Sequence, residues 1–252
     1  MQTIKLLSRR QAASKLFALT FERPAGYEFK AGQFARLGLA PENGADGAAP
    51  LIRAYSIASA PESETLEFFI TSVEGGALSP RICALEPGEE ALLDGAAEGA
   101  LTPSRIPGGE TLWLMATGSG LSPFASIVRS ACVWESWSDI VLVESVRRGE
   151  EAALAREVVA NLPEGRRARL IVTTTREDDP ARAGDLTGRI PQLLASGELE
   201  RFAGREITAE KSRILLCGNP AFITDTRAGL KARGIVSPRF GKPGQLVVEN
   251  FW

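Results

Sequence analysis

Two short turns in the second half of the sequence have the composition of anion-binding loops. In MATGSGLSPF (115–124) and CGNPAFITD (217–225), an apolar run ends near a glycine and a proline follows within a few residues. Gly118 and Gly218 have no Cβ, so a ligand can approach the backbone closely. Proline suits the first turn of a helix, and a helix N-terminus attracts a pyrophosphate. We predict that Ser122 and Asn219 are the N-cap residues of two such helices.

Three arginines of the same half stand at, or just beyond, the ends of predicted strands. Arg147 comes after IVLV, Arg176 comes after RLIVTTT, and Arg189 opens RIPQLLASGELE. A guanidinium group binds phosphate oxygens in pairs, so this set fits a phosphate on a ribose 2′-oxygen. Glu144 indicates the opposite preference, because an acid near a strand end of a dinucleotide-binding unit commonly binds the free 2′-hydroxyl. Because three separated arginines favour a phosphate and only one acid favours a hydroxyl, we predict that the chain prefers NADP over NAD.

A third candidate lies in the first half, in RAYSIASAP (53–61). An arginine, a tyrosine and a serine stand close together at the start of a predicted strand. Taken alone, the stretch is typical of a half-buried strand in which Arg53 is solvated and Tyr55 packs on its neighbours. The rest of the chain has to decide between that interpretation and a binding site.

The composition excludes several kinds of chemistry. The 252 residues contain no histidine, the commonest metal ligand and the usual base of serine and cysteine hydrolases. Cys83, Cys132 and Cys217 are far apart, so this chain alone forms neither a CxxC redox pair nor an iron–sulfur cluster. Redox chemistry would therefore need an organic cofactor, and no metal is expected.

Charge and hydropathy limit the kinds of partner that the chain can bind. The net charge is −2 and its charges are interspersed, which indicates no nucleic-acid-binding groove. No apolar run reaches the length of a membrane span, and the N-terminus lacks a cleavable signal pattern. We expect a cytoplasmic protein that binds neither a membrane nor nucleic acid.

Hydrophobic periodicity divides the chain into two parts. Residues 1–105 contain short apolar runs separated by turns such as PAG and EPGE, which is typical of an antiparallel β-barrel. Residues 40–50 are predicted to form a hairpin loop. After IPGG (106–109), apolar strands alternate with helices, which is typical of a doubly wound α/β parallel sheet. We predict a barrel domain over 1–105 and an α/β domain over 106–252, with both glycine turns at one edge of the sheet.

Six motifs together resemble the bacterial type of ferredoxin–NADP⁺ reductase over almost the whole chain. In order they are RAYS, GGALSPR, ATGSGLSPF, TTTRE with LTGRIP, CGNP and PGQLVVENFW. The resemblance implies an FAD-binding barrel followed by an NADP-binding α/β domain. It also implies an oxidoreductase in which NADPH gives a hydride to N5 of FAD. Single electrons then pass to ferredoxin or flavodoxin in a transient complex, and we expect a monomer.

The resemblance also implies the flavin contacts. Arg53 would pair with the pyrophosphate, Tyr55 would stack on the isoalloxazine and Ser56 would approach N5. Phe251 would cover the opposite flavin face, and Trp252 would stack on the adenine. Phe69 stands where relatives have a tyrosine. The implied FAD residues are Arg53, Ala54, Tyr55, Ser56, Phe69, Gly76, Ala77, Leu78, Ser79, Ser119, Phe251 and Trp252.

The same resemblance implies the NADP contacts and the catalytic residues. The implied NADP residues are Thr117, Gly118, Arg147, Thr175, Arg176, Arg189, Asn219, Pro220 and Asp225. Tyr55, Ser56, Cys217 and Glu249 would be catalytic, with the last two at the nicotinamide–flavin contact and Glu249 as a proton relay. From the residues alone, Cys217 is equally a small core residue and Glu249 a strand-end acid.

Two other functions fit the same motifs. An NAD(P)H-dependent flavin reductase, or the reductase component of a monooxygenase, would share the FAD and NADP motifs. A non-catalytic nucleotide-sensing module is an alternative of another class, in which the face of Tyr55 would be empty. A comparison of turnover with ferredoxin and with free flavin would distinguish the first alternative from a ferredoxin reductase. A purified protein without flavin colour would favour the second alternative.

Overall fold

The computed structural model describes residues 1–41 and 49–250, which form two six-stranded sheets. Most of the predicted loop at 40–50, together with Phe251 and Trp252, lies outside the described residues. Strands β1–β6 and helix α1 come from the first part of the chain, and strands β7–β12 and helices α2–α7 come from the second. Among the described residues, no helix has both the length and the apolarity needed to cross a bilayer.

The first sheet is antiparallel, with the strand order β4-β3-β6-β1-β2-β5. A bridge between Ile57 and Phe68 joins the region of the two edge strands, so the sheet closes into a barrel. Helix α1 (Ser79–Cys83) follows the last edge strand. The strands are β1 (Gln2–Ala13), β2 (Leu16–Glu22), β3 (Phe34–Leu39), β4 (Leu51–Ser56), β5 (Thr65–Thr71) and β6 (Glu90–Glu98).

Alternation along the strands decides what each face of the barrel contacts. In β2, Phe17, Leu19 and Phe21 are buried in the barrel interior, because successive side chains of a strand point to opposite faces. Ala18, which lies between them, belongs to a different apolar cluster that continues into the second half of the chain. The barrel therefore has a core of its own and a second apolar surface on its outside.

The second sheet is parallel, with the strand order β10-β9-β8-β7-β11-β12. The chain first proceeds outward from β7 and later returns to its other side at β11, so the order reverses next to β7. Ligands of open α/β sheets bind at such a switch point, at the carboxyl ends of the strands. The strands are β7 (Thr111–Thr117), β8 (Asp139–Val146), β9 (Ala168–Thr174), β10 (Leu186–Thr187), β11 (Ser212–Gly218) and β12 (Leu246–Asn250).

Helices cover both faces of this parallel sheet. Their side chains enter two apolar clusters, one with Phe124 and Leu154 and the other with Leu193 and Phe222. The predicted antiparallel barrel followed by a doubly wound α/β sheet is confirmed. The helices are α2 (Leu121–Arg129), α3 (Ala131–Ser136), α4 (Ala153–Ala160), α5 (Ile190–Ala195), α6 (Glu198–Ala203) and α7 (Pro220–Ala232).

Two stretches whose apolar periodicity predicts a single helix are each interrupted in the structure. The stretch PFASIVRSACVW forms α2 and α3, separated at Ser130, whose backbone is extended with ψ of 139°. The stretch RIPQLLASGELE forms α5 and the start of α6, separated at Gly197 with a left-handed φ of 69°. In both places a single residue outside the helical region breaks the series of backbone hydrogen bonds, which side-chain periodicity alone does not reveal.

The predicted N-caps have different outcomes. Asn219 is confirmed, because its Oδ1 accepts from the backbone N–H of Phe222 at 2.9 Å. Ser122 is wrong as an N-cap, since a 3-10 turn over Gly118–Gly120 runs directly into α2 and the helix begins at Leu121. The Ser122 hydroxyl instead donates to the backbone carbonyl of Phe69 in the barrel, at 3.2 Å.

Loss of a ring from the barrel interior should destabilise the fold strongly. Phe68 is fully buried and packs edge-to-face on Phe21, with ring centroids 6.1 Å apart. We expect Phe68→Ala to lower the free energy of unfolding by about 3–5 kcal/mol, as measured by urea titration with circular dichroism. Phe202→Ala is the control, because the Phe202 side chain is 39% exposed and its loss should cost about 1 kcal/mol or less. Equal losses in the two variants would contradict the prediction.

Candidate active site

The two glycine turns of the parallel sheet are in direct contact. Both follow neighbouring strands, β7 and β11, and the backbone N–H and Nδ2 of Asn219 donate to Thr117 Oγ1 at 3.1 and 3.3 Å. A Cβ on Gly218 would collide with the Thr117 side chain, and one on Gly120 would collide with the carbonyl of Cys217. Only glycine allows this close approach, which brings the start of α2 and the start of α7 to one place.

A cavity of about 470 Å³ opens beside these turns. Eight of the nine predicted NADP residues line its wall. Pro220 is the exception, although its neighbours Asn219 and Ala221 line the cavity. The eight are Thr117, Gly118, Arg147, Thr175, Arg176, Arg189, Asn219 and Asp225.

The arginines of this cavity are available to an anion. Arg147, Arg176 and Arg189 are exposed, and within residues 1–41 and 49–250 none of them forms a salt bridge. Arg148 differs from its neighbour Arg147, since it lies within 4 Å of the carboxylates of Glu177 and Asp178. Because guanidinium groups without acidic partners favour a phosphate, this wall of the cavity has the chemistry of a phosphate site.

Glu144 does not take part in this cavity. Its side chain is 2% exposed and lies within the sheet, where the Gly118 N–H donates to it. Burial, followed by the nearby Glu151 carboxylate, raises the pKa of Glu144 well above its ordinary value. Glu144 lines neither cavity, and on its face of β8 it follows Ile140 and Leu142, which belong to the apolar cluster that includes Phe124 of α2. The burial of this acid therefore does not support a contact with a ribose.

A second, larger cavity of about 600 Å³ lies against the barrel. This volume is in the usual range for a small-molecule site. Every predicted FAD residue in the described part of the chain lines the cavity: Arg53, Ala54, Tyr55, Ser56, Phe69, Gly76, Ala77, Leu78, Ser79 and Ser119. The placement of Phe251 and Trp252 against it lies outside the described residues.

Strand β4 supplies three side chains of different chemistry to this cavity. Burial raises the pKa of Tyr55 to about 12, so its ring stays a neutral phenol at neutral pH. The Arg53 guanidinium is exposed at the cavity and donates to the carbonyl of Ile52 at 2.8 Å. Ser56 is buried at the inner end of the strand. The strand therefore presents a cation, a flat ring and a hydroxyl in sequence.

The GGALSPR segment forms the opposite rim. Gly76 N–H donates to the carbonyl of Val73 at 2.9 Å, so this amide is used within the turn. Ser79 Oγ accepts from the Val73 N–H at 3.0 Å and keeps its own proton for donation to a ligand. Ala77 and Leu78 lie between them on the cavity wall.

The two cavities meet at a shared wall. Thr71, at the end of β5, and Ser119, in the first glycine turn, line both of them. Next to this wall, Ser56 Oγ donates to Glu249 Oε1 at 3.4 Å, so the barrel and the last strand of the sheet are joined by a hydrogen bond. Ligands in the two cavities would therefore be neighbours.

Glu249 and Cys217 lie side by side on the strands β12 and β11. Burial raises the pKa of Glu249 from 4.5 to about 7. Burial, the Glu249 carboxyl and the Glu144 carboxyl raise the pKa of the Cys217 thiol, so the sulfur stays protonated. Cys217 is fully buried and lines neither cavity, whereas Glu249 lines the larger one.

Phe34 and Thr71 are among the side chains of the site that sequence reasoning missed. Phe34 lines the larger cavity because β3 pairs with β4 and places Phe34 opposite Ser56. Thr71 lines both cavities and comes two residues after Phe69 on β5. Alternation along β5 could have found Thr71, because residues two apart share a face. Nothing in the sequence gives the register of β3 against β4.

Comparison with known proteins agrees with this arrangement. Residues 114–228, which include both glycine turns, match the oxidoreductase NAD-binding domain family. The chain is 36% identical to the flavodoxin/ferredoxin–NADP reductase of Shigella flexneri, covering 94% of this chain and 93% of that protein. It is 37% identical to ferredoxin–NADP reductase A of Sorangium cellulosum, over 94% of this chain and 84% of the relative.

A solved structure extends the likeness to three dimensions. The ferredoxin NADP⁺ reductase of Neisseria gonorrhoeae, determined with bound FAD and NADP, superimposes with a TM-score of 0.89 at 34% identity. The alignment covers 99% of this chain and 98% of that one. On the strength of identity above 30% along almost its full length, the chain belongs to the ferredoxin/flavodoxin–NADP reductase family.

Proposed function

We propose that the protein is an FAD-dependent reductase that transfers electrons between NADP(H) and a one-electron carrier, ferredoxin or flavodoxin. The observation that carries this proposal is the shared wall of the two cavities, at Thr71 and Ser119. A site that must pass a hydride from one ring to another needs two adjoining pockets of different chemistry. The family relatives carry the same activity in their names.

The residues of the larger cavity fit FAD. Its lining is mainly apolar around the Tyr55 ring, which suits a flat tricyclic group. Arg53 would bind a pyrophosphate oxygen at one side, and the Ser79 hydroxyl would donate a hydrogen bond to it from the other. When bound, FAD accepts a hydride and releases electrons one at a time, which no side chain of this histidine-free chain can do.

The residues of the smaller cavity fit NADP. Arg147, Arg176 and Arg189 would hold the 2′-phosphate. The turns at Thr117–Gly118 and at Asn219, with Thr175, would hold the rest of the nucleotide. Because Glu144 is buried away from the cavity, it does not compete for the ribose, and the preference of the three arginines for a phosphate is unopposed from that position.

The chain's own contribution to the reaction is alignment and a proton site. Ser56 and Glu249 are hydrogen-bonded to each other on the wall of the larger cavity, and Glu249 exchanges a proton near neutral pH because of its raised pKa. Cys217 stays a neutral thiol behind Glu249 and supports it without charge. We assign residues 1–105 to a flavin-binding domain and residues 106–252 to an NADP-binding domain, whose Ser119 and Glu249 also line the flavin cavity.

The first test is the choice of electron acceptor. The purified chain should be yellow with bound FAD. Its kcat/KM for NADPH should exceed its kcat/KM for NADH by about 100-fold or more. Turnover with ferredoxin or flavodoxin should exceed turnover with free flavin at equal concentration. Faster turnover of free flavin would favour a flavin reductase, and a colourless protein would contradict the proposal.

Removal of one arginine should change the preference between the two nucleotides. We expect Arg176→Ala to lower kcat/KM for NADPH by about 10- to 100-fold, because a charge-assisted bond to the 2′-phosphate is lost. The value for NADH should stay within about threefold, since NADH has no such phosphate. Arg148→Ala is the control, because this neighbouring arginine pairs with acids and does not line the cavity. Equal losses with NADPH and NADH in Arg176→Ala would contradict the assignment.

The raised pKa of Glu249 should appear in the pH dependence of stability. Between about pH 4.5 and 7 the folded, ligand-free chain binds a proton that the unfolded chain has released, so stability falls as pH rises. Glu249→Gln should remove the Glu249 share of this pH dependence, at most about 3 kcal/mol over the window, and leave the share of Glu144, whose pKa burial also raises. Urea unfolding at pH 5 and pH 7.5 measures it.

Glu74→Gln provides the control for this pH dependence. It makes the same chemical change at a carboxylate whose side chain is 89% exposed. We expect this variant to keep the wild-type slope. A Glu249→Gln slope identical to that of the wild type would show that Glu249 titrates in its ordinary range.

A further inference from the structure

Helix α2 is hydrogen-bonded to strand β5 of the barrel at both of its ends. Near its start, Ser122 Oγ donates to the Phe69 carbonyl at 3.2 Å. At its last residue, Arg129 Nη1 donates to Glu67 Oε2 at 2.6 Å. Ser122 and Arg129 are seven residues apart, which is about two helical turns, so they lie on the same side of the helix. Glu67 and Phe69 are two apart and share one face of the strand.

The Arg129 guanidinium makes two further contacts with the barrel. Nη1 also donates to the Ala58 carbonyl at 2.9 Å, and the guanidinium carbon lies 5.7 Å from the centre of the Phe69 ring. Ala58 comes two residues after Ser56 and is itself tied to β5, since its N–H donates to the Glu67 carbonyl at 2.7 Å. A single side chain of the α/β half therefore contacts both β5, which carries Phe69, and the segment that follows Ser56.

Phe69 and Ser56 line the larger cavity, whereas Arg129 lines neither cavity. The helix that Arg129 ends begins at Leu121, directly after the glycine turn of the smaller cavity. The contacts of Arg129 thus connect the wall of one cavity to the turn of the other. Because Arg129 lines neither cavity, we expect it to act through the residues that it holds and not by contact with a ligand.

We propose that Arg129 is a positioning residue for hydride transfer: it fixes Phe69 and the segment after Ser56 against α2, so that the flavin and nucleotide sites stay aligned. The inference rests on the function proposed above, because it assigns the two cavities to FAD and NADP(H). Misplacement of reacting groups by about 1 Å can lower a rate about 100-fold, so loss of this contact should appear in the rate of hydride transfer.

A second ion pair between the two halves gives a matched comparison. Arg10 of the barrel and Glu157 of α4 are 2.8 Å apart, but their side chains are 47% and 40% exposed. Those of Arg129 and Glu67 are 25% and 20% exposed. Neither Arg10 nor Glu157 lines a cavity. Removing Arg10 therefore removes an ion pair between the halves without touching the wall of either site.

The test uses the full chain loaded with FAD, in single-turnover reduction by NADPH. We expect Arg129→Met to slow flavin reduction by about tenfold or more and to change the visible absorption bands of the flavin, with the Kd for NADPH within about threefold. Arg129→Lys should recover part of the rate, because it keeps the charge and loses the planar fork. Arg10→Met should reduce flavin within about twofold of the wild-type rate.

Several outcomes would overturn the inference. One is an Arg129→Met variant with a rate within about twofold of the wild type and an unchanged flavin spectrum; another is an equal loss of rate in Arg129→Met and Arg10→Met. Where Arg129→Met fails to fold, Glu67→Gln carries the test, since it keeps the shape of the side chain and weakens its hold on the guanidinium. A rate for Glu67→Gln within about twofold of the wild type would then overturn it. Failure of the wild-type chain to bind FAD or to be reduced would instead contradict the proposed function.

Discussion

The structure depends on one apolar contact, in which the outside of a barrel packs against the helical layer of a parallel sheet. Ala18, Ala58 and Phe69 of the barrel share a continuous cluster with Leu121 and Phe124 of the second half. Burial of apolar area of this kind is the main favourable term in association, and it does not specify orientation. The hydrogen bonds of Ser122 and Arg129 across the same contact supply the orientation. Both cavities exist in their present form because the two halves are held in this way.

The charged residues divide into those used by the protein and those left for ligands. Arg129, Arg148 and Arg10 are bound to acids of the chain, whereas Arg147, Arg176 and Arg189 face a cavity and form no salt bridge with any described residue. A net charge of −2 conceals this difference. Local pairing, and not overall charge, decides where an anionic nucleotide binds.

Much of the fold follows from periodicity, and much of the site from short motifs. Alternation in β2 and the capping asparagine at 219 act locally, so both can be predicted from neighbouring residues. The burial of Glu144 could not be predicted in this way. Whether a residue near the end of a strand is buried or faces a ligand depends on the exact residue at which the strand ends, which the sequence does not give. Phe34 and Arg129 acquire their places from strand register and from contact between the halves. Both depend on contacts between residues far apart in the sequence, which local sequence patterns do not predict.

The shared wall at Thr71 and Ser119 makes the two binding equilibria interdependent. A ligand that fixes these side chains changes the free energy with which the other cavity is filled. By thermodynamic linkage, the change in flavin affinity caused by the nucleotide equals the change in nucleotide affinity caused by the flavin. Any change at this wall that alters how strongly the nucleotide affects flavin binding therefore alters by the same factor how strongly the flavin affects nucleotide binding.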